Sequence, residues 1–479
     1  MIQRIALTTM ILGWGVVTMA QDGAKLAYGS TETYRQTVVV EAAGALPEPT
    51  LAPVYNGHKW GLSTRWDDSN PNALNVRRKM LENGIKGTFY LNSRRPAKPE
   101  GSLARKLSEG GQCSVGGHSV SHPKLPELPA NDVFYQLMAN RIELERLTDT
   151  PMNSLAFPYG QYQARDRPEV IQGVTEAVLR TGYLHSVYSN FVTNNPFMPK
   201  GVVSTGLQVV PGDRQVNAEK FWANMDKFRK WGKNYRKKSD CIFLGVHPWQ
   251  KGPELEKLGE LMGKLRDWDD FWHCTQTEWT AYNKQRHDTK VKTRKPGTYE
   301  LARPAAFDLG NDIPLTLVFA SATVRSAKVD GVACKLRQVD GKTYINIPHA
   351  AQYGVPKAID AVGKDGTSVK FPGLKASLTF DAEAGKVVFT LENTTAAALA
   401  DGILTLSLPP ACEPGVLRWH RPDVAAGATW SATTTIAKAR TGDYWENGKP
   451  YFAAQFDFIG TDKRGRLFAT CFGPAPAAK

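Results

Sequence analysis

KWGLSTRWDDSNPNALNVRRKMLENGIKGTFYLN, residues 59–92, reads as a strand, a capped helix and a second strand in immediate succession. The first strand, 59–67, runs into Ser69-Asn70-Pro71-Asn72. There Ser69 or Asn70 can cap a helix, and Pro71 suits a first turn that has no use for its missing N–H. Leu74, Met80 and Leu81 carry that helix, Gly84 ends it, and GTFYLN (87–92) is the next strand. The alternation continues outward from this unit. SLARKLSEG (102–110) reads as a short helix, QCSVGGH (112–118) as a strand, and 131–148 as a long helix with Val133, Leu137, Leu144 and Leu147 on one stripe. Strands at 154–160, 184–189, 241–247 and 271–276 then alternate with helices at 168–182, 217–231 and 253–266. Such a pattern implies an α/β fold with a parallel sheet, and about seven units of this kind can close a barrel.

The polar residues that stand out fall at the C-terminal ends of four of these strands, the face where such barrels hold their chemistry. They are Asp67-Asp68, the pair His118 and His122 in GGHSVSHP, the turn FPYG at 157–160, and His247 in IFLGVHPW. Each alone has an ordinary explanation as a solvated turn, a surface coincidence or a half-buried polar residue; four on one face point to a site. Two imidazoles share a metal at roughly 2 Å each only if their nitrogens converge to about 3 Å. Residues four apart in a strand would lie about 13 Å apart, so HxxxH is expected to open a helical turn, with Gly116-Gly117 as its hinge. The aspartate pair offers a third, carboxylate ligand and a spare carboxylate. Without a cation two adjacent carboxylates repel and one tends to keep its proton; a divalent metal on one lets the other stay ionised as a base. Cys113 is near enough in sequence to compete as a ligand but lies within a strand that reads as buried.

Residues 55–285 resemble the polysaccharide deacetylases, the family-four carbohydrate esterases. The resemblance rests on WDDS, MLENGIKGTFYLN, HSVSH, FPYG and DDFWHCTQTEWTAY, in order and at the family's spacing. It implies a distorted (β/α) barrel as the catalytic domain and one divalent metal, commonly zinc. It further implies Asp67 as general base, Asp68, His118 and His122 as metal ligands, the backbone N–H of Tyr159 as an oxyanion donor, and His247 as general acid. Metal and amide together would stabilise the negative oxygen that forms on the attacked acetyl group. The histidine would protonate a leaving amine that otherwise departs poorly. Trp249, Pro158 and Arg65 are the expected substrate contacts. Two departures stand out: Ser69 replaces the usual Gly after the aspartate pair, and Ala156 replaces an Arg that in the family orients the catalytic aspartate. Arg65, two residues before Asp67 and on the same strand face, is the candidate substitute, and Asp213 is a candidate partner for His247. The implied activity is removal of acetyl groups from a glycan, most simply N-deacetylation of an N-acetylhexosamine polymer. An O-acetyl esterase on xylan-like polymers and a catalytically weakened glycan-binding protein are the alternatives.

The remaining sequence sets the context. Residues 1–20, Arg4 followed by an apolar run ending at Ala20, read as a secretory signal and imply a periplasmic or secreted protein. No later segment is apolar enough to span a bilayer. Residues 21–54 read as an N-terminal extension, 55–287 as the barrel, and the basic stretch 288–298 as a linker. Short alternating runs beyond it read as two accessory β-sandwiches, 299–368 and an immunoglobulin-like 372–473. Of the 6 cysteines, those at 113, 241 and 274 fall in barrel strands and read as buried thiols, while Cys412 and Cys471 could pair. Among the tryptophans Trp249, Trp419, Trp430 and Trp445 are candidate sugar platforms, although core packing is the commoner use. A formal charge of +14 favours anionic partners, so the acetylated glycan could itself be anionic. No nucleic-acid recognition motif accompanies the charge. Nothing in the sequence speaks to oligomeric state.

Overall fold

The structure is a computed structural model that describes residues 33–93, 101–162, 174, 177–178, 181–183, 185–186, 207–231, 240–305, 309–321, 323–409, 416–436, 451–461 and 464–474. The expected signal at 1–20, most of the helix expected at 168–182, Cys412 and Trp445 lie outside these residues.

The first strands in chain order are β1 (Thr33–Ala42), β2 (Thr50–Leu51), β3 (Trp60–Asp67), β4 (Gly87–Leu91), β5 (Cys113–Gly117), β6 (Ser154–Leu155), β7 (His185–Ser186), β8 (Leu207–Val209), β9 (Cys241–Leu244) and β10 (Phe271–His273). A curled parallel sheet runs β7-β6-β5-β4-β3-β9-β8, with β10 also on β3. β3 is its pivot. Gly61–Thr64 pair with β9, Trp60–Leu62 with β10, and Arg65–Asp67 with β4. All eight residues of β3 are buried, as expected for a parallel strand covered on both faces. The end strands β7 and β8 are not paired with each other among the described residues.

Helices α1 (Ala73–Glu82), α2 (Leu103–Ser108) and α3 (Ala130–Thr148) follow β3, β4 and β5. Helices Ala218–Trp231, Pro253–Arg266 and Gln276–Asp288 complete the set. The last begins inside the stretch read as a strand to 276. Thr275 and Glu278 form a reciprocal capping box there, which satisfies two otherwise orphaned N–H groups and ends the strand at His273. Likewise only Ser154–Leu155 of the expected strand 154–160 joins the sheet, because Pro158–Gly160 turns away as a short 3-10 segment.

The all-β part divides differently from the sequence expectation. β1, in the N-terminal extension, is the middle strand of a sheet, antiparallel to both Thr298–Pro304 and Val324–Val329. Its alternating burial puts Tyr34, Gln36, Val38 and Val40 inside. The expected linker contains strand Lys290–Lys295, hairpinned onto Thr298–Pro304. Its basic side chains cover an exposed edge, where charge discourages further strand pairing. A facing sheet contains β2, Leu315–Phe319, Lys335–Val339 and Lys342–Ile347. Trp272, Trp279 and Tyr282 of the barrel share the core of this first sandwich.

The second sandwich pairs a three-stranded sheet with a five-stranded one. The boundary at 368 shifts as well, because Ala358–Ala361 pair in parallel with Gly465–Phe468 of this domain. Ile359, Ala453 and Phe468 belong to the barrel's own core, so the second sandwich is packed on the barrel rather than tethered to it. Cys113, Cys241, Cys274, Cys334 and Cys471 form no disulfide among the described residues, and burial pushes the Cys113 thiol up to about 11. Trp430 is a core residue of the second sandwich, and Trp419 packs against that core. Among the described residues no helix is long and apolar enough to cross a membrane.

Candidate metal centre and its surroundings

β3 delivers both aspartates. Asp67 is its last residue, buried beside Arg65, whose Nε donates to Asp67 Oδ1 at 3.0 Å while Nη2 bonds Oδ2. The two-residue period of the strand puts both on one face, and a bidentate guanidinium holds a carboxylate plane in one orientation. The Asp67 N–H donates to Val246 O at 2.7 Å, tying the aspartate pair to the loop that carries His247. Asp68 leaves the strand with φ 73, which turns its side chain away from that of Asp67.

His118 follows β5 and is buried. Its Nδ1 lies 2.7 Å from Ala156 O. A carbonyl only accepts, so Nδ1 carries the proton and Nε2 is left as a ligand atom. His122 comes round by a route different from the expected helical turn. Residues 118–124 form no helix; Ser119 and His122 take left-handed conformations, φ 66 and 63, and the His122 N–H donates to Ser119 Oγ at 3.1 Å. The imidazoles meet edge to face, with ring centroids 4.7 Å apart.

The outcome is one convergent set. Asp68 Oδ1 lies 3.5 Å from His118 Nε2 and 3.6 Å from His122 Nε2, and all three ligand atoms fall within 4.8 Å of one another. Ligands about 2.0–2.1 Å from a tetrahedral ion stand roughly 3.4 Å apart, so a divalent metal fits between these atoms with little movement. The two-nitrogen, one-carboxylate donor set suits zinc and leaves a fourth position open. The His118 imidazole, above all, holds the Asp68 carboxyl below the usual carboxylate range; partial burial opposes this, and the charges of His247 and His122 add to it. Cys113 is on β5 but is not part of the ligand cluster.

Around the cluster, Tyr159 stands exposed with φ 57, a strained conformation for a residue with a side chain, and its ring is edge-on to His122 at 4.6 Å. Pro158 is buried beneath the turn. His247 Nδ1 lies 3.3 Å from Asp213 Oδ2, and its ring is stacked on Trp249 at 3.9 Å. Burial alone would make the His247 imidazolium easier to deprotonate. The Asp213 bond and the charges of Asp213, Asp67 and Asp68 outweigh it, so the value is raised. The guanidinium of Arg214 sits 5.3 Å from the Trp249 ring centre. Gly245, with φ +83, lets the loop pass Trp66: a Cβ there would come within 2.7 Å of the indole.

The supporting residues were not singled out in the sequence. Asn72 Nδ2 donates to Pro248 O and Gln250 O, both at 2.8 Å, clamping the His247 loop to the start of α1. Asn92 Nδ2 donates to His118 O at 2.6 Å, and Asn140 Oδ1 accepts from the His118 N–H at 3.1 Å. Asn140, fully buried within α3, was the available signal, since such a group is kept only where it is hydrogen-bonded. Ala156 has a physical explanation: its side chain packs on Tyr90, its carbonyl orients His118, and the guanidinium that Asp67 requires comes from Arg65.

A search of curated proteins finds no match. Residues 63–172 match the family model described as polysaccharide deacetylase. Among solved structures, the Bc1960 peptidoglycan N-acetylglucosamine deacetylase is 16% identical with a TM-score of 0.31, over 47% of this chain and 89% of its own. The family 4 carbohydrate esterase from Streptomyces lividans is 15% identical with a TM-score of 0.30, over 45% and 90%. BA3943 from Bacillus anthracis, a family pseudoenzyme, is 16% identical with a TM-score of 0.28, over 47% and 67%. The assignment therefore rests on the sequence match. Residues 63–172, which carry both aspartates, both histidines and the Pro-Tyr-Gly turn, are the part of the chain that matches the polysaccharide deacetylase family model.

Proposed function

We propose that this chain is a metal-dependent hydrolase that removes acetyl groups from a polysaccharide or oligosaccharide, acting on an N-acetylhexosamine unit outside the cytoplasm. The observation that carries the reading is the separation of the two aspartates. Asp68 converges with His118 and His122, whereas Asp67 is turned aside and held by Arg65. A divalent metal, zinc by the donor set, would polarise the acetyl oxygen and make an attacking water acidic. Asp67 accepts the proton of that water, its carboxylate kept in plane by the guanidinium. The Tyr159 N–H, in the exposed turn beside His122, would donate to the negative charge that builds on the acetyl oxygen. His247, whose bond to Asp213 makes its proton harder to lose, delivers that proton to the leaving nitrogen, and the stacked Trp249 ring stands beside it.

A general acid at this place suits amide cleavage, because an amine must be protonated to depart, whereas an alkoxide is the better leaving group and depends on the acid less. Acetate release from N-acetylglucosamine oligomers and from acetylated xylo-oligosaccharides, with zinc supplied, tests the reading. Release from the first, abolished by chelation and restored by zinc, is expected. Release only from the second would establish an esterase, and release from neither with metal bound would leave a glycan-binding protein.

A further inference from the structure

We propose that the second β-sandwich is a working part of the metal centre, with Tyr451 and Arg466 as positioning residues that hold the His118–His122 loop through α3. The proposal rests on the ligand assignment made above. The loop has no helix, and two of its five residues have left-handed backbones. α3 supplies three of the hydrogen bonds that hold it, beside those of Asn92 to the His118 carbonyl and of the His118 ring to Ala156 O. Asn140 accepts from the His118 N–H at 3.1 Å, Gln136 O accepts from the Val120 N–H at 3.0 Å, and Gln136 Oε1 accepts from the Ser121 N–H at 3.0 Å. The position of α3 therefore bears on where both imidazoles stand.

The sandwich sets the position of α3. Arg466 Nη1 reaches Glu145 Oε1 and Oε2 at 3.0 and 2.8 Å, both side chains at 0% exposure. Its Nε bonds Asp457 Oδ1 at 2.7 Å. Glu145 also accepts from Arg141 Nε and from the Met152 N–H, each at 2.8 Å. Two arginines and two carboxylates thus cancel in a dry interface, an arrangement that fixes geometry more than it adds stability. A second contact is direct. Tyr451 packs against the cluster of Val120, Tyr135 and Ala139, and Val120 lies between the two ligand histidines in sequence. One sandwich residue therefore packs on the cluster to which the loop's Val120 belongs, and another anchors the helix beneath it.

The test uses the full chain and two substitutions, Tyr451→Leu at the contact and Phe389→Leu in the sandwich's own core. Thermal unfolding and zinc affinity, by competition with a chromophoric chelator, are read for each. Tyr451→Leu should weaken zinc binding about tenfold, as loss of a ligand's supporting contact does. Phe389→Leu should lower the unfolding temperature yet leave zinc affinity within about twofold. Should Tyr451→Leu fail to fold, Tyr451→Met, which keeps more of the volume, takes its place with the same expected direction. Unchanged affinity at position 451, or an equal loss from both substitutions, would overturn the proposal while leaving the ligand assignment standing. An unmutated protein that binds no zinc would overturn both.

Discussion

Arg65→Ala would leave Asp67 buried without its guanidinium. The two side chains are 7% and 4% exposed, so water cannot compensate, and removing one partner of a buried ion pair costs about 3–5 kcal/mol. The Asp67 backbone would stay in place through its bond to Val246 O at 2.7 Å, but the carboxylate would be free to rotate. A displacement of about 1 Å in a group that must meet a proton can cost on the order of 10²-fold in turnover. The assay is a double-mutant cycle with Asp67→Asn, read in acetate release and in thermal unfolding. In the Asp67→Asn background Arg65→Ala should change turnover little, because no base remains to be positioned, giving a coupling of at least about 2 kcal/mol. Equal losses with and without Asp67 would refute the idea that Arg65 replaces the family arginine missing at Ala156.

Three further outcomes follow from the same geometry. Asp213→Asn should move the alkaline limb of kcat/KM to lower pH and leave the acid limb in place, because His247, raised chiefly against its own burial by Asp213, then loses its proton sooner. The pair's contribution to stability is full below the ordinary histidine value of about 6.5 and fades as pH rises through the raised one, so this variant's deficit in unfolding temperature should be larger at pH 5.5 than at pH 9, two assay conditions about either side of that window. His247→Ala should retain metal and lose about 10²–10⁴-fold on N-acetyl substrates, but much less on an activated aryl acetate; equal losses would argue against proton donation to the leaving group. Gly245→Ala should destabilise the barrel by more than about 1 kcal/mol in thermal unfolding, since φ +83 and the Trp66 indole at 2.7 Å both oppose a Cβ.

The barrel and the site were legible where local periodicity carried them. β3 to α1 to β4 follows from spacing and punctuation, and strand ends on one face bring Asp67, Asp68, His118 and His247 together. The path of the HxxxH was not legible. Four-residue spacing looks the same for a helical turn and for a turn with two left-handed residues, and Ser119 does not announce a positive φ. β1 shows its alternation plainly in TYRQTVVVEA, yet its partners begin about 260 residues later in the chain, as Arg35 with Ala302 illustrates. The Arg466–Glu145 pair spans 321 residues, and no local pattern encodes a contact of that kind. The packing of the sandwiches on the barrel was illegible for the same reason: the apolar residues that join them, such as Ile359 and Phe468, look like any other strand interior.

The central claim is that Asp68, His118 and His122 hold one divalent ion while the neighbouring Asp67 does not. Elemental analysis of the purified full chain and three variants, each equilibrated with limiting zinc, tests it most directly. The account predicts about one zinc per chain for the unmutated protein and for Asp67→Asn, with loss of most of the metal from Asp68→Asn and His122→Ala. Metal retained by His122→Ala, or stripped by Asp67→Asn and kept by Asp68→Asn, would contradict it.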